Sequence, residues 1–306
     1  MRPELQKAIE LLRRDTPESV DGAIALLQNT VYSFSMKVCG HPEDAEDTMQ
    51  EVLYRSLAHL AKIKDPQALA VWLYTVTRNR CWRMRRKPAN AAARTLSLDE
   101  LMPDGEELGR LLQDAAESPE GNVLHAEQHD LLHQAVLRIP APLRIILVLH
   151  DMEELTTEQV AQILNLQTGT VRVRLHRARL SVRKEMSEAT QGESPQPHPA
   201  PSDEVASHTR RGSKKRPAEC RELFANLSEY LDGRVEPVSC DQMRLHIEGC
   251  PACVVFLRDL RGAIDRCRAM EVPCDSAVAP RLRSLLTREY LRMLGMPIPG
   301  KIPARL

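Results

Sequence analysis

The stretch from Leu155 to Arg183, LTTEQVAQILNLQTGTVRVRLHRARLSVR, leaves a chain few ways to fold. It divides into two short helices around a tight turn. Thr156 precedes Gln159 by three residues, the spacing of a reciprocal cap at a helix N-terminus. Val160, Ile163 and Leu164 then fall on one face, and Asn165-Leu166-Gln167 makes the turn. Thr168 supplies a cap for the second helix. At about 100° per residue, Val171, Leu175, Ala178 and Val182 form its apolar stripe. The opposite side carries Val173, His176 and Arg177, flanked by Arg172, Arg174, Arg179 and Arg183. From Thr168 to Lys184 there are six Lys/Arg residues and no acid. A helix apolar on one face and cationic elsewhere, close behind a capped partner, suits the major groove of duplex DNA. The plain alternative is a solvated basic helix in a bundle.

Charge is balanced in total, with 42 Lys+Arg against 42 Asp+Glu, so the total points to no polyanion. Its distribution does. Leu53 to Pro88 holds nine Lys/Arg against the single acid Asp65, whereas Ser97 to Asp130 holds ten acids against Arg110 alone. Two basic segments separated by an acidic one predict two nucleic-acid contacts joined by a strap. With 306 residues, two or three domains are expected, and the scarcity of Gly and of β-branched runs predicts an all-α fold. The opening MRPELQKAIELLRRD is charged throughout, and no apolar run approaches the roughly 20 residues that span a bilayer. The expectation is a soluble, cytoplasmic protein with no membrane partner.

Residues 1–93 read as four helices. The third, EDAEDTMQEVLYRSLAHLAKI, keeps Ala45, Met49, Val52, Leu53 and Leu60 in helical register and leaves Asp44, Asp47, Gln50 and Glu51 off that stripe. The fourth directs Leu69, Leu73 and Val76 inward and carries Arg78, Asn79, Arg80, Arg83 and Arg85. Residues 94–130 contain Pro103, Gly105, Pro119 and Gly121 without apolar period, and read as an acidic linker. It suits either a strap lying in a basic channel or a solvated spacer. Helical period returns over 131–187, and the Pro- and Ser-rich 188–217 reads as a disordered linker.

Six of the eight cysteines lie beyond residue 219, and in a reducing compartment such clustering asks for a metal rather than disulfides. His246 and Cys250 are spaced i, i+4 on one helix side, and Cys253 follows after Pro251-Ala252. Three Cys/His ligands within eight residues predict one Zn²⁺. The fourth ligand is Cys220 or Cys240. Cys240 sits six residues before His246, about 9 Å along a helix. Antiparallel helices bring Cys220 close, and Cys220 is the expected ligand. The residues 218–272 thus form a small helical zinc module that the linker uncouples, followed by a C-terminal helix and tail over 273–306. Its last helix, Ala279 to Leu294, places Leu282, Leu285, Leu286, Tyr290 and Leu294 on one side, to dock on the chain's own core or on a partner domain. Cys267 and Cys274 read as spare thiols.

The wording of these segments resembles a known family. GTVRVRLHRAR, at Gly169 to Arg179, and EDAEDTMQEV followed by WLYTVTRNRCWRMRRK are similar to bacterial sigma factors of the extracytoplasmic-function group. The tail AECRELFANLSEYLDGRVEPVSCDQMRLHIEGCPAC resembles a zinc-binding anti-sigma domain. The resemblance implies a non-catalytic transcription initiation factor with core RNA polymerase and promoter DNA as partners. By motif position it puts Asp47, Gln50 and Glu51 on polymerase, and Asn79 and Arg83 on the downstream promoter element. Thr170, Arg172, Val173, His176 and Arg177 become the groove-facing set at the upstream element. The fused zinc module then regulates in cis, through an intramolecular contact with the sigma domains. A helix-turn-helix regulator acting without polymerase, carrying a purely structural zinc module, is the alternative. It leaves the acidic helix face at Asp44 to Glu51 unexplained.

Overall fold

In a computed structural model the described residues are 3–14, 16–60, 62–63, 65–84, 96–103, 106–111, 125–190, 227–233 and 237–296. No strand occurs among them, in agreement with the all-α expectation. The helices named here are α1 Pro3–Leu12, α2 Pro17–Cys39, α3 Pro42–Leu60, α4 Pro66–Met84, α5 Leu98–Leu101, α6 His125–Arg138 and α7 Ala141–Leu147. After a π-helical turn, Val148–Met152, come α8 Thr157–Leu164, α9 Thr168–Thr190, α10 Leu227–Leu231, α11 Pro237–Gly249, α12 Pro251–Ala269 and α13 Ala279–Met293. They gather into two compact units. One holds residues 1–89, 148–166 and 271–306, and the other holds 90–147 and 167–270.

In the first unit α1 to α4 form where the sequence places four helices. Thr16 caps α2 reciprocally with Ser19, and Pro17 occupies the first turn. Gly40 ends it at φ 80° and donates its N–H to the Met36 carbonyl at 2.9 Å. Asp65 caps α4 by accepting from the N–H groups of Gln67 and Ala68. Its inner face is broader than the predicted stripe. Leu69, Ala70, Leu73, Tyr74, Thr77 and Cys81 are buried, whereas Val76 is half-buried. Tyr74 stacks on Phe34 with ring centroids 5.0 Å apart.

The π turn shapes this core. Its i→i+5 bond from the Glu153 N–H to the Val148 carbonyl, 2.9 Å, shifts the helical register by one residue. Glu153 then turns inward, where Lys37 Nζ donates to its Oε1 at 2.8 Å and the Tyr74 hydroxyl to its Oε2 at 2.7 Å. Both members of the ion pair are essentially inaccessible to solvent. Arg78 of α4 donates to the Ile163 carbonyl at the end of α8, at 2.8 Å. The C-terminal helix α13 packs on α2 and α3. Its buried side is Leu286, Thr287, Tyr290 and Leu291; Leu285 and Leu294, predicted on the packing stripe, are exposed. The rotation follows from polar anchors on the same side. Arg283 and Thr287 both reach Asp21, Gln28 donates to the Ala279 carbonyl, and Asn29 accepts the Cys274 N–H.

In the second unit α9 packs on α6, α7 and α12. Leu101, Met102, Leu180, Leu227, Met243, Ile247, Phe256, Leu260 and Ile264 share one core. This revises two expectations. The acidic segment holds the capped turn α5, where Ser97 and Glu100 satisfy each other's backbone N–H groups, and its Leu101 and Met102 are buried. The zinc module is also not an uncoupled body, because Leu227, Met243, Ile247, Phe256, Leu260 and Ile264 share their core with Leu180 of α9.

Removing one member of the buried Lys37–Glu153 pair strands the other charge. Lys37→Met should lose about 3–5 kcal/mol in urea unfolding. The Lys37→Met, Glu153→Leu, Tyr74→Phe triple variant should recover most of that loss.

Candidate nucleic-acid interface and metal centre

The turn between α8 and α9 has the chemistry expected of it. Thr156 and Gln159 form the reciprocal cap of α8, and Asn165 ends that helix at φ 54°, a conformation asparagine tolerates well. Helix α9 then buries Val171, Leu175, Ala178 and Val182, the four residues of the predicted stripe. Of the predicted groove-facing set, Arg172 is exposed, Val173 is 59% exposed, and Thr170 and Arg177 are half-buried.

His176 departs from the set, at 7% exposure. Burial, with repulsion from Arg179 and Arg177 adding to it, lowers its pKa to about 4, so the ring is neutral at physiological pH. Arg179 and Arg183, which the sequence places beside the groove-facing set, are buried too. Arg179 donates Nη1 to Asp232 Oδ2 at 3.0 Å and Nη2 to Asp232 Oδ1 at 2.9 Å, a two-pronged pairing. Arg183 Nη1 meets Glu107 Oε1 at 2.6 Å and Asp259 Oδ2 at 3.2 Å, and its guanidinium lies 5.0 Å from the Phe256 ring centroid. Lys184 donates to the Glu100 carbonyl at 2.7 Å. The sequence shows these acids as a linker and a tail; only tertiary packing brings them to α9.

On α3, Asp47 is exposed, and Gln50 and Glu51 are half-buried. Glu51 is held by Arg55 at 3.0 Å and by Arg80 of α4 at 2.7 Å. Asn79 is half-buried on α4; Arg83 lies on the same helix, its side chain outside the described residues. Two aromatic side chains absent from the predicted set stand in the open, Tyr54 at 62% and Trp82 at 45% exposure. Tyr54 lies three residues beyond Glu51 on α3 and Trp82 beside Arg83 on α4, and this proximity to the polar set is a signal the sequence carries.

In the metal cluster, one ligand atom each of His246, Cys250 and Cys253 lies within 4.8 Å of the others. Cys250 precedes Pro251 at the start of α12, so the break between α11 and α12 turns Cys253 back toward His246. Cys253 Sγ is 3.4 Å from His246 Nε2. Tetrahedral zinc with Zn–S of ~2.3 Å and Zn–N of ~2.1 Å sets such an S···N edge near ~3.6 Å. The soft sulfur and nitrogen donors therefore fit zinc in type and in spacing. Cys220 lies outside the described residues, as does the side chain of Cys240.

Comparison with known proteins agrees with this assembly. The family model for sigma-70 region 2 matches residues 23–90, and the model for sigma-70 region 4 matches 129–182. The chain carries both sigma-70 regions, and extracytoplasmic-function sigma factors are among its homologues. A putative zinc-finger family covers 220–253. The ECF RNA polymerase sigma factor SigW of Bacillus subtilis is 25% identical over 189 residues, 61% of this chain and 98% of that protein. The RNA polymerase sigma-H factor of Pseudomonas aeruginosa is 26% identical over 185 residues, 58% of this chain and 92% of that one. The probable RNA polymerase sigma factor RfaY of Xanthomonas campestris is 28% identical over 187 residues, 58% of this chain and 44% of that protein. The matched regions and the relatives alike are those of RNA polymerase sigma factors, in line with the expected transcription initiation factor. Among the described residues no helix is long and apolar enough to cross a membrane.

The neutral His176 gives α9 an acid-sensitive environment. Above pH 6.5 the ring is uncharged in folded and unfolded chains alike and contributes no pH dependence. Between 6.5 and about 4 the unfolded chain takes up a proton that the folded one refuses, so stability falls as pH falls. From pH 7 to pH 5 the wild type should lose roughly 2 kcal/mol more than His176→Gln, read from urea midpoints at the two pH values.

Proposed function

We propose that residues 1–93 and 131–187 act as the two promoter-reading parts of this initiation factor, and that the zinc module with its C-terminal helix regulates them in cis. The observation that carries the proposal is the packing of the tail on the sigma segments themselves. Segment 227–264 completes the core around Leu180 of α9, and α13 is anchored on α2 and α3.

In this reading Asp47, Gln50 and Glu51 meet core polymerase, and the exposure of Asp47 supports it. Asn79 and Arg83 meet the downstream element. Thr170, Arg172, Val173, His176 and Arg177 read the upstream element. Arg172 offers two-pronged pairing to guanine, and Val173 an apolar touch to a thymine methyl. His176 joins the set only when its cover is removed. The regulatory part acts by occupancy. Whatever holds the tail on α9 and on α2–α3 competes with partners for those helices, at the high effective concentration of a tethered segment.

One Zn²⁺ held by Cys220, His246, Cys250 and Cys253 fixes the α11–α12 corner, and Cys240 is dispensable. Metal supplies folding free energy that so small a module lacks. Full-length protein should therefore contain one zinc per chain. Cys250→Ser should lose it and change promoter output in reconstituted transcription, whereas Cys240→Ser should keep both. Zinc-free wild-type protein, or equal output from all three chains, would overturn the regulatory reading.

A further inference from the structure

Arg172, His176, Arg179 and Arg183 are spaced i, i+4, i+7 and i+11 on α9. At about 100° per residue they form one longitudinal stripe, beside the apolar one and distinct from it. Arg172, at its N-terminal end, is exposed. The other three are buried, and two of them are neutralised by carboxylates from elsewhere in the chain. The basic stripe thus runs from open solvent into an acidic cover.

The form of the cover is informative. A guanidinium taken out of water needs acceptors in the plane of its fork, which a carboxylate and a phosphate offer in the same two-pronged geometry. Asp232 provides this to Arg179 at 2.9 and 3.0 Å. Asp259 and Glu107 converge on Nη1 of Arg183. The three acids come from the end of α10, from α12 and from the acidic segment. A helix needing only to pack would place apolar residues on this stripe, since replacing a buried ion pair by apolar residues is often neutral or stabilising.

We propose that Arg179 and Arg183 are a second phosphate-binding set for duplex DNA, and that Asp232, Asp259 and Glu107 occupy it as stand-ins for backbone phosphates. Duplex and tail then bind α9 in mutually exclusive fashion, and DNA entering along the stripe from Arg172 displaces the zinc module. This rests on the reading of α9 as the promoter helix and adds to it a ligand exchange. Because phosphates are sequence-independent, the exchange sets affinity for all duplexes and leaves base choice to the groove-facing set.

The test uses the full-length chain and a short duplex of random sequence. Asp232→Asn combined with Asp259→Asn should bind it roughly tenfold more tightly than wild type. Adding Arg179→Gln should abolish that gain. In the wild type, saturating duplex should raise amide hydrogen exchange in α10 and α12, a readout independent of how the variants fold. Unchanged affinity in the Asn variant of normal zinc content, or exchange in α12 indifferent to duplex, would overturn the proposal. Core-polymerase binding by the same wild-type preparation separates the two readings. If it persists when the exchange fails, the initiation factor stands and only the ligand exchange falls.

Discussion

Helix α9 imposes the constraint on which the second unit depends. It carries an apolar stripe that must be covered and, immediately beside it, a stripe of arginines. A core cannot close over the first without approaching the second. Burying an arginine alone is prohibitive, so the neighbouring surface has to bring carboxylates. Asp232, Glu107 and Asp259 meet that demand, and Phe256 receives the flat face of Arg183. The apolar residues around them, from Leu101 to Ile264, then share one core that draws on the acidic segment, α9 and the zinc module. The first unit solves a similar problem with Lys37, whose buried ammonium is met by a glutamate that a π turn delivers.

Much of this was legible from the sequence because it is local. Capping of α8 by Thr156 and Gln159, the turn at Asn165, the apolar stripe of α9 and the Cys/His spacing all lie within a few residues of one another. Local signals also set the four helices of the first unit. What escaped was decided by distant partners. Periodicity identifies His176 and Arg179 as polar positions on a helix. It does not identify Asp232, 53 residues beyond Arg179, as the group that allows burial. The stripe of α13 was misjudged for a related reason: Asp21 and Asn29 anchor its segment through polar contacts, and these rotate Leu285 outward. The acidic segment lacked any sustained period, yet two apolar residues behind a capped turn suffice to pin it.

Under the proposed function, fold and function meet in competition for the same helices. Asp47 and Arg172 remain exposed, whereas the continuation of the basic stripe is engaged with the chain's own acids. Of the residues proposed to read bases, Arg172 and Val173 are displayed, and the proposed phosphate set, Arg179 and Arg183, is held back. The His246, Cys250 and Cys253 cluster lies at the corner from which α12 carries Phe256 and Asp259 to Arg183, and the proposed zinc would fix that corner.

Reconstituted transcription most directly tests the claim that this chain is an initiation factor working through the assigned surfaces. Purified full-length protein and core RNA polymerase are combined on a template carrying a two-element promoter. The account predicts initiation that needs both elements and is lost on charge reversal at exposed Asp47. A chain that binds duplex DNA but neither associates with core polymerase nor starts transcripts would contradict it.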